Sequence, residues 1–370
     1  MRNDIRLAPL PNPFIFENGN CVTSVADWTE RRKEISNTLI SLEYDGIPPK
    51  PDFMQVELIS KNDSATELKY SIKSIVGNKE HTFNFIVYKS EGEHKAPVIL
   101  TGDAMYTQNC TPEVIEEAKR RNFIVVKFDR LDIVPDCVDS ERKYGINALY
   151  NNLDFSAISA WCWGYHRVVD ALFTLDFADT ENIAITGHSR GGKAVVLAGA
   201  TDDRIKFVNP NGSGTHGCGC YRFIQVEEEG MYEDATSEPL SFLFEAVPHW
   251  MGKGLKKYIG NESDIPYDMH YLKALIAPRF LLETNGHYDI WANPRGSYLT
   301  HLAAKEVWKL YGKEQNCKTY YGANGHKHQF EEFCVLFDFI ENSLNGKETI
   351  FEEYYTDMKP LHNWKCPSKE

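Results

Sequence analysis

The chain has 370 residues, of which 42% are hydrophobic and 25% charged, enough to bury one large core and too apolar for a disordered chain. Its 40 basic against 53 acidic residues give a formal charge of −13, and no basic run interrupts that balance, which argues against nucleic-acid binding through clustered Lys and Arg. No apolar run approaches the ~18 residues that a membrane span needs, so a soluble protein without membrane contact is expected.

The N-terminal residues lack the apolar core of a secretion signal, which points to the cytoplasm, or to a secreted protein whose signal has been replaced. No internal repeat or flexible linker divides the sequence. The expected layout is a single domain over 1–370, with residues 1–60 as an N-terminal extension packed on it. Within that extension, residues 24–42 predict a helix. Ser24 and Asp27 stand in capping-box spacing, and Trp28, Ile35, Leu39 and Leu42 recur near the helical period. Pro48, Pro49 and Pro51 end it.

Residues 67–75 and 81–89 alternate in character and read as antiparallel strands. From Pro97 onward, short apolar runs at 98–100, 123–128, 183–186 and 279–283 alternate with longer helical stretches. Buried parallel strands separated by helices give that rhythm, hence an α/β fold with a mostly parallel central sheet and helices on both faces. The clearest helix covers 155–175, with Ile158, Trp161, Trp163, Val168 and Leu172 as core contacts. The nine cysteines are odd in number and scattered. Cys218 and Cys220 form a C-x-C pair unlike most zinc or redox spacings, and structural thiols are the expectation.

The strand at 183–186 runs directly into Gly187, His188, Ser189, Arg190 and Gly191, followed by helix-forming residues 192–198. This is G-x-S-x-G between a strand and a helix, the setting of a nucleophile elbow in the α/β-hydrolase fold. A bend this sharp leaves little room for a Cβ beside the serine and forces Ser189 into a strained conformation with its hydroxyl presented. The helix that follows aims its first amides at the reaction centre, so the amide of Arg190 is an expected oxyanion donor.

In such folds an acid and then a histidine follow the serine, each on a loop after a later strand. Asp289 lies a few residues beyond the strand at 279–283. His326 lies beyond a further apolar run at 317–321 and before a helix from about 331 to 344. Asp289 is therefore the candidate acid, holding the tautomer of the candidate base His326. His328 competes for the base, and Glu283 and Asp268 are weaker candidates for the acid. A metal reading of His326, His328 and His287 matches no familiar ligand spacing, so neither metal nor cofactor is expected.

Gly187 through Lys193, then Asp203 and Arg204, then the segment 210–214, together resemble the glucuronoyl esterases, whose elbow reads G-[CH]-S-R-x-G-K. Residues 10–14, 28–34 and 160–164 are similar to the family's N-terminal segment and pre-elbow helix. Residues 248–250, 274–279 and 291–294 are similar to its later landmarks. The resemblance implies Ser189 as nucleophile, Arg190 as an oxyanion stabiliser through its guanidinium as well as its amide, and Lys193 and Trp291 as contacts to the sugar. Outside the family context, Lys193 also reads as a solvated helix residue and Trp291 as a core residue.

Many members carry the acid 23 residues past the serine, where this chain has Gly212. Asp289 fits the alternative placement after the later strand. The short spacing from His326 to the apolar segment 333–339 resembles the bacterial-type members. The resemblance thus implies a serine hydrolase of carbohydrate or small-molecule esters, in particular those of 4-O-methylglucuronic acid, and a monomer is expected. A small-acyl carbohydrate esterase and an inactive carbohydrate-binding relative remain the alternatives.

Overall fold

Runs such as Val98, Ile99 and Leu100 are apolar at every position, and they become strands covered on both sides. Val98 and Leu100 enter one core, with Trp161, Val168, Leu197 and Trp308. Ile99 enters a second core, with Val114, Phe333, Leu336 and Phe337. Strands with helices on each face follow from that pattern. The structure, a computed structural model, describes residues 4–92, 95–226, 236–352 and 354–367.

Its strands are β1 (Ile5–Arg6), β2 (Phe53–Lys61), β3 (Glu67–Val76), β4 (Lys79–Tyr88), β5 (Ala96–Thr101), β6 (Ile124–Phe128), β7 (Ala178–His188), β8 (Phe207–Asn211), β9 (Phe223–Ile224), β10 (Phe280–Gly286) and β11 (Cys317–Gly322). Nine of these form one sheet in the order β11-β10-β8-β7-β5-β6-β4-β3-β2, while β1 pairs with β9 apart from it. The six strands from β11 to β6 in that order are mutually parallel. Strand β4 runs antiparallel to β6 and to β3, and β2 is antiparallel to β3.

The helices are α1 (Val25–Tyr44), α2 (Pro112–Arg120), α3 (Arg130–Ile133), α4 (Gly145–Leu149), α5 (Ala157–Leu172), α6 (Arg190–Thr201), α7 (Leu240–Ala246), α8 (His270–Ala274), α9 (Pro294–Leu310) and α10 (Phe330–Leu344). Helices α1, α5, α6 and α8 supply residues to the first core and α2 and α10 to the second, which gives the three layers expected from the sequence. Every residue of α5 is buried. Among the described residues, no helix is long and apolar enough to cross a membrane.

Helix α1 starts where its cap predicts, with the Ser24 hydroxyl accepting from the Asp27 amide at 3.1 Å. Asp27 reaches back one residue further than a capping box would, to the Thr23 amide at 2.9 Å. At its other end, Glu43 is fully buried. Its Oε1 faces His216 Nδ1 at 2.5 Å and accepts from the Tyr221 hydroxyl at 2.5 Å, and its Oε2 accepts from the Tyr267 hydroxyl at 2.6 Å.

Two strands of the nine-stranded sheet depart from the sequence reading. Strand β2 lies inside the stretch read as an extension, because an edge strand that leaves most of its residues exposed has no apolar run to betray it. Strand β8 is fully buried but carries Asn209, Pro210 and Asn211. Its polar side chains are satisfied internally, as where Asn209 Nδ2 donates to the Leu282 carbonyl at 2.7 Å.

Candidate active site

Strand β7 ends at His188 and helix α6 begins at Arg190, so Ser189 alone makes the bend. Its φ of 57° and ψ of −122° are unfavourable for an L-residue. A Cβ on Gly187 would come within 2.9 Å of the Gly191 backbone, and one on Gly191 would run into the Asp103 carboxylate. Asp103, just past the end of β5, is fully buried and accepts from the His188 amide at 2.8 Å. It is also held by the Arg130 guanidinium. Burial lowers the pKa of Arg130 to about 10, and its guanidinium lies 5.2 Å from the Tyr106 ring centre and 5.0 Å from that of Trp161. The bend is thus fastened from below by a carboxylate that has no place in the sequence motif.

His326, in the connection from β11 to α10, has its Nε2 at 2.8 Å from Ser189 Oγ and its Nδ1 at 2.7 Å from Asp289 Oδ2. Because a carboxylate can only accept, this geometry puts the imidazole proton on Nδ1 and leaves Nε2 to accept from the serine hydroxyl. Asp289 follows β10, and its Oδ1 accepts from the Ala292 amide at 3.2 Å. The Asp289 side chain is 2% exposed and that of His326 38%, so the pair is shielded at the carboxylate and open at the imidazole.

The competing candidates lie elsewhere. His328 is buried, with its ring stacked on Phe333 at 4.0 Å. Glu283 pairs with Lys273 at 2.7 Å, and Asp268 with Arg222 at 3.2 Å. Gly212, at φ 47°, explains why position 212 carries no acid: a Cβ there would sit 3.2 Å from Asp289 Oδ2. Two carboxylates would compete for one space.

Behind His326 stands a polar relay that the sequence reading missed. The His188 ring centre is 4.5 Å from that of His326, and His188 Nδ1 is 2.6 Å from Asn211 Oδ1. Asn211 Nδ2 donates to Glu332 Oε1 at 3.0 Å and to Thr284 Oγ1 at 2.9 Å. Burial, and then the neighbouring His326, pull the His188 pKa down to about 4. Burial pushes that of Glu332 up to about 7, against the hydrogen bonds it accepts.

Arg190 leaves its guanidinium 37% exposed, paired with Asp136 and 4.9 Å from the Trp250 ring centre. Asp136 Oδ1 also accepts from Trp250 Nε1 at 2.7 Å and faces His249 Nε2 at 2.8 Å. Burial alone would raise the Asp136 pKa, but the hydrogen bonds from His249, Trp250 and Arg190 hold it well below the usual carboxylate range.

Lys193 is not the open donor expected. It is 2% exposed, and its ammonium is spent on the carbonyls of Ser213 at 2.7 Å and Thr215 at 2.5 Å and on Glu238 Oε2 at 2.8 Å. A fixed ammonium with three acceptors has no proton left for a hydroxyl. Trp291 is half-buried, edge-on to Phe242 at 4.8 Å, and its carbonyl accepts from the Glu238 amide at 3.0 Å. Asp103 had one usable signal in the sequence, its position just past a parallel strand. Asp136, Glu238 and Glu332 had none.

A parallel α/β sheet with a serine on its strand-to-helix bend and a histidine–carboxylate pair closing over it defines a class: a carboxylic ester hydrolase of the α/β-hydrolase fold. The comparisons narrow this further. The family described as "Glucuronyl esterase, fungi" matches residues 72–312. The 4-O-methyl-glucuronoyl methylesterase 1 of Wolfiporia cocos is 30% identical over 364 residues, covering 94% of this chain and 83% of that protein. The 4-O-methyl-glucuronoyl methylesterase of Schizophyllum commune is 29% identical over 91% of this chain and 81% of its own length. Among solved structures, a carbohydrate esterase family 15 glucuronoyl esterase from Caldicellulosiruptor kristjansonii is similar with a TM-score of 0.83 at 26% identity, covering 98% of each chain. The chain belongs to the glucuronoyl esterase family.

Proposed function

We propose that the protein hydrolyses esters of 4-O-methylglucuronic acid through an acyl-enzyme on Ser189. The observation that carries this reading is the pair of contacts at His326, 2.8 Å to Ser189 Oγ and 2.7 Å to Asp289 Oδ2. Ser189 Oγ attacks the ester carbonyl carbon as its proton passes to His326 Nε2. The carbonyl oxygen becomes an oxyanion facing the Arg190 amide and guanidinium, and Asp289 steadies the imidazolium. Collapse breaks the bond to the alcohol, which takes the proton from Nε2. Water then attacks the acyl-enzyme by the same route and releases the uronic acid with Ser189 restored. Serine, imidazole and carboxylate suffice, so the chemistry calls for no metal or cofactor.

Support for the uronate comes from the relatives' names and from a solved complex. A variant of the Sporotrichum thermophile glucuronoyl esterase is bound to methyl 4-O-methyl-β-D-glucopyranuronate. In this chain we assign the sugar side to Trp291, with Lys193 acting through the Glu238 carboxylate that it holds. We infer in addition that the enzyme acts as a monomer. Cys21, Cys110, Cys137, Cys162, Cys218, Cys220, Cys317 and Cys334 are free thiols, in keeping with the cytoplasmic placement.

The test is kcat/KM on methyl 4-O-methylglucuronate against p-nitrophenyl acetate. A preference for the uronate, lost in Ser189→Ala, is expected. A preference for acetate would move the protein to the small-acyl esterases.

A further inference from the structure

Glu332 is buried at the third residue of α10, and the chemistry of the triad makes no use of it. Its Oε2 accepts from the Gln329 amide at 2.7 Å, half of a capping box whose other half is the Gln329 side chain on the Glu332 amide. Glutamine serves that capping position as well as glutamate does. A cap therefore does not explain why a carboxylate is buried here, where its hydrogen-bond partners among the described residues are N–H donors and no cation. Burial without a counter-charge is costly, and it raises the pKa to about 7.

The second oxygen supplies the reason. Glu332 Oε1 accepts from Asn211 Nδ2 at 3.0 Å. Asn211 ends β8 against the elbow. Its carbonyl accepts from the Ser189 amide at 2.9 Å, and its Oδ1 is 2.6 Å from His188 Nδ1. On the other side, Asn324 and Gln329 flank His326 in the loop that carries it, and Asn324 Nδ2 also donates to Oε2, at 3.4 Å. The Asn324 carbonyl in turn accepts from the amide of Tyr288 at 3.0 Å, next to Asp289. One carboxylate thus reaches the supports of nucleophile, base and acid alike.

Only a group that accepts at both oxygens can do this. Facing an acceptor, the Asn211 amide turns Nδ2 to Glu332 and Oδ1 to His188, which fixes the His188 proton on Nδ1. A glutamine, or the protonated acid, carries a donor at one end. That end meets either the Gln329 amide or Asn211 Nδ2 donor to donor, so one of the two ties is lost. We propose that Glu332 is a positioning residue for the reaction, its carboxylate locking the His326 loop to the end of β8 beside Ser189 and so setting the distance between base and nucleophile. The inference rests on the acyl-enzyme reading of Ser189 and His326 and not on the identity of the acyl group.

The test is the rate at which an uncharged alkyl fluorophosphonate labels Ser189, which needs the nucleophile and its base but no sugar. Glu332→Gln should label within twofold of wild type at pH 5, where both side chains are neutral, and about tenfold more slowly at pH 9. The ratio of the two rates should change with a midpoint near the Glu332 pKa of about 7. Glu331 and Tyr320 are coupled to the carboxylate by charge, and His188, with His328 beside it, lies across Asn211. Both proteins carry these groups and His326, so their own titrations cancel in the ratio. Over the same range the urea midpoint of Glu332→Gln should rise relative to wild type, so reactivity and stability diverge, whereas a merely structural glutamate would move them together.

A rate ratio that stays within twofold from pH 5 to pH 9 overturns the proposal. Asn211→Ala reads the path from the other end and should slow labelling about tenfold at pH 9, with no further loss on adding Glu332→Gln. Labelling of Asn211→Ala at the wild-type rate overturns the proposal whether or not the glutamine variant folds. A wild type that does not label at Ser189 overturns this inference and the acyl-enzyme reading together, whereas a flat ratio on a labelled wild type removes Glu332 alone.

Discussion

Strands β7, β8, β10 and β11 all point the same way, and Ser189, Gly212, Asp289 and His326 follow their C-terminal ends. Strands β2, β3 and β4 alternate in direction and contribute none of these groups. The inward side chains of β3 and β4 serve the core instead, as where Tyr70 stacks on Phe85 at 5.1 Å and Phe83 meets Phe128 at 6.0 Å. Parallel strands deliver every outgoing loop to one edge of a sheet, whereas antiparallel strands divide their loops between two edges. The same secondary structure can therefore concentrate chemistry or only buttress it, depending on direction.

The sharpest way to break this contrast is at the imidazole. His326→Ala should lower kcat by about 10⁶ without changing the melting temperature by more than a few degrees. A loss below about 100-fold would remove His326 from the mechanism. Asp289→Asn should cost about 10⁴ in kcat by mis-setting the tautomer. Because position 212 sits beside the Asp289 carboxylate, adding Gly212→Glu to Asp289→Ala, which clears that space, should recover part of the loss, and adding it to the wild type should not raise activity. No recovery would show that the two strand ends are not interchangeable supports for the acid.

On the buttressing side, Phe85→Ala should cost about 3–5 kcal/mol of stability by opening a core cavity. It should leave kcat/KM within twofold when measured well below the transition. A large kcat effect there would erase the division of labour. The smallest effect is expected at Glu332. Its folded pKa of about 7 lies above the ordinary carboxyl value, so protonation favours the fold. That contribution is complete below about pH 4.5 and is lost as pH rises through 7. Glu332→Gln should therefore gain on the wild type by up to about 3 kcal/mol between pH 4.5 and pH 8 in urea melts. A pH-independent difference would contradict it.

What was legible in the sequence was local. The elbow at 187–191 announces itself because glycine spacing, strand and helix coincide within a dozen residues. Asp289 and His326 are legible because chain order and loop position are themselves sequence properties. Asp136, Glu238 and Glu332 are scattered carboxylates among 53 acidic residues, and only the closed fold brings them beside their cations and amides. The error at Lys193 has the same origin. Helical spacing places its side chain on the serine's side of α6 but says nothing of the two carbonyls and the carboxylate waiting for it. Strand β8 escaped notice because its asparagines are satisfied by neighbours 23 residues away and others more than 70 away.

Glu43 bears on how the protein can be handled. A protein engineer trimming the first 44 residues as ornament would pull an acid out of a socket furnished by His216, Tyr221 and Tyr267. Three sealed-in polar groups would lose their shared counterpart at one stroke. Any shortened version needs a substitute wedge at that spot, so the opening helix belongs to the keystone of the fold and not to its trim.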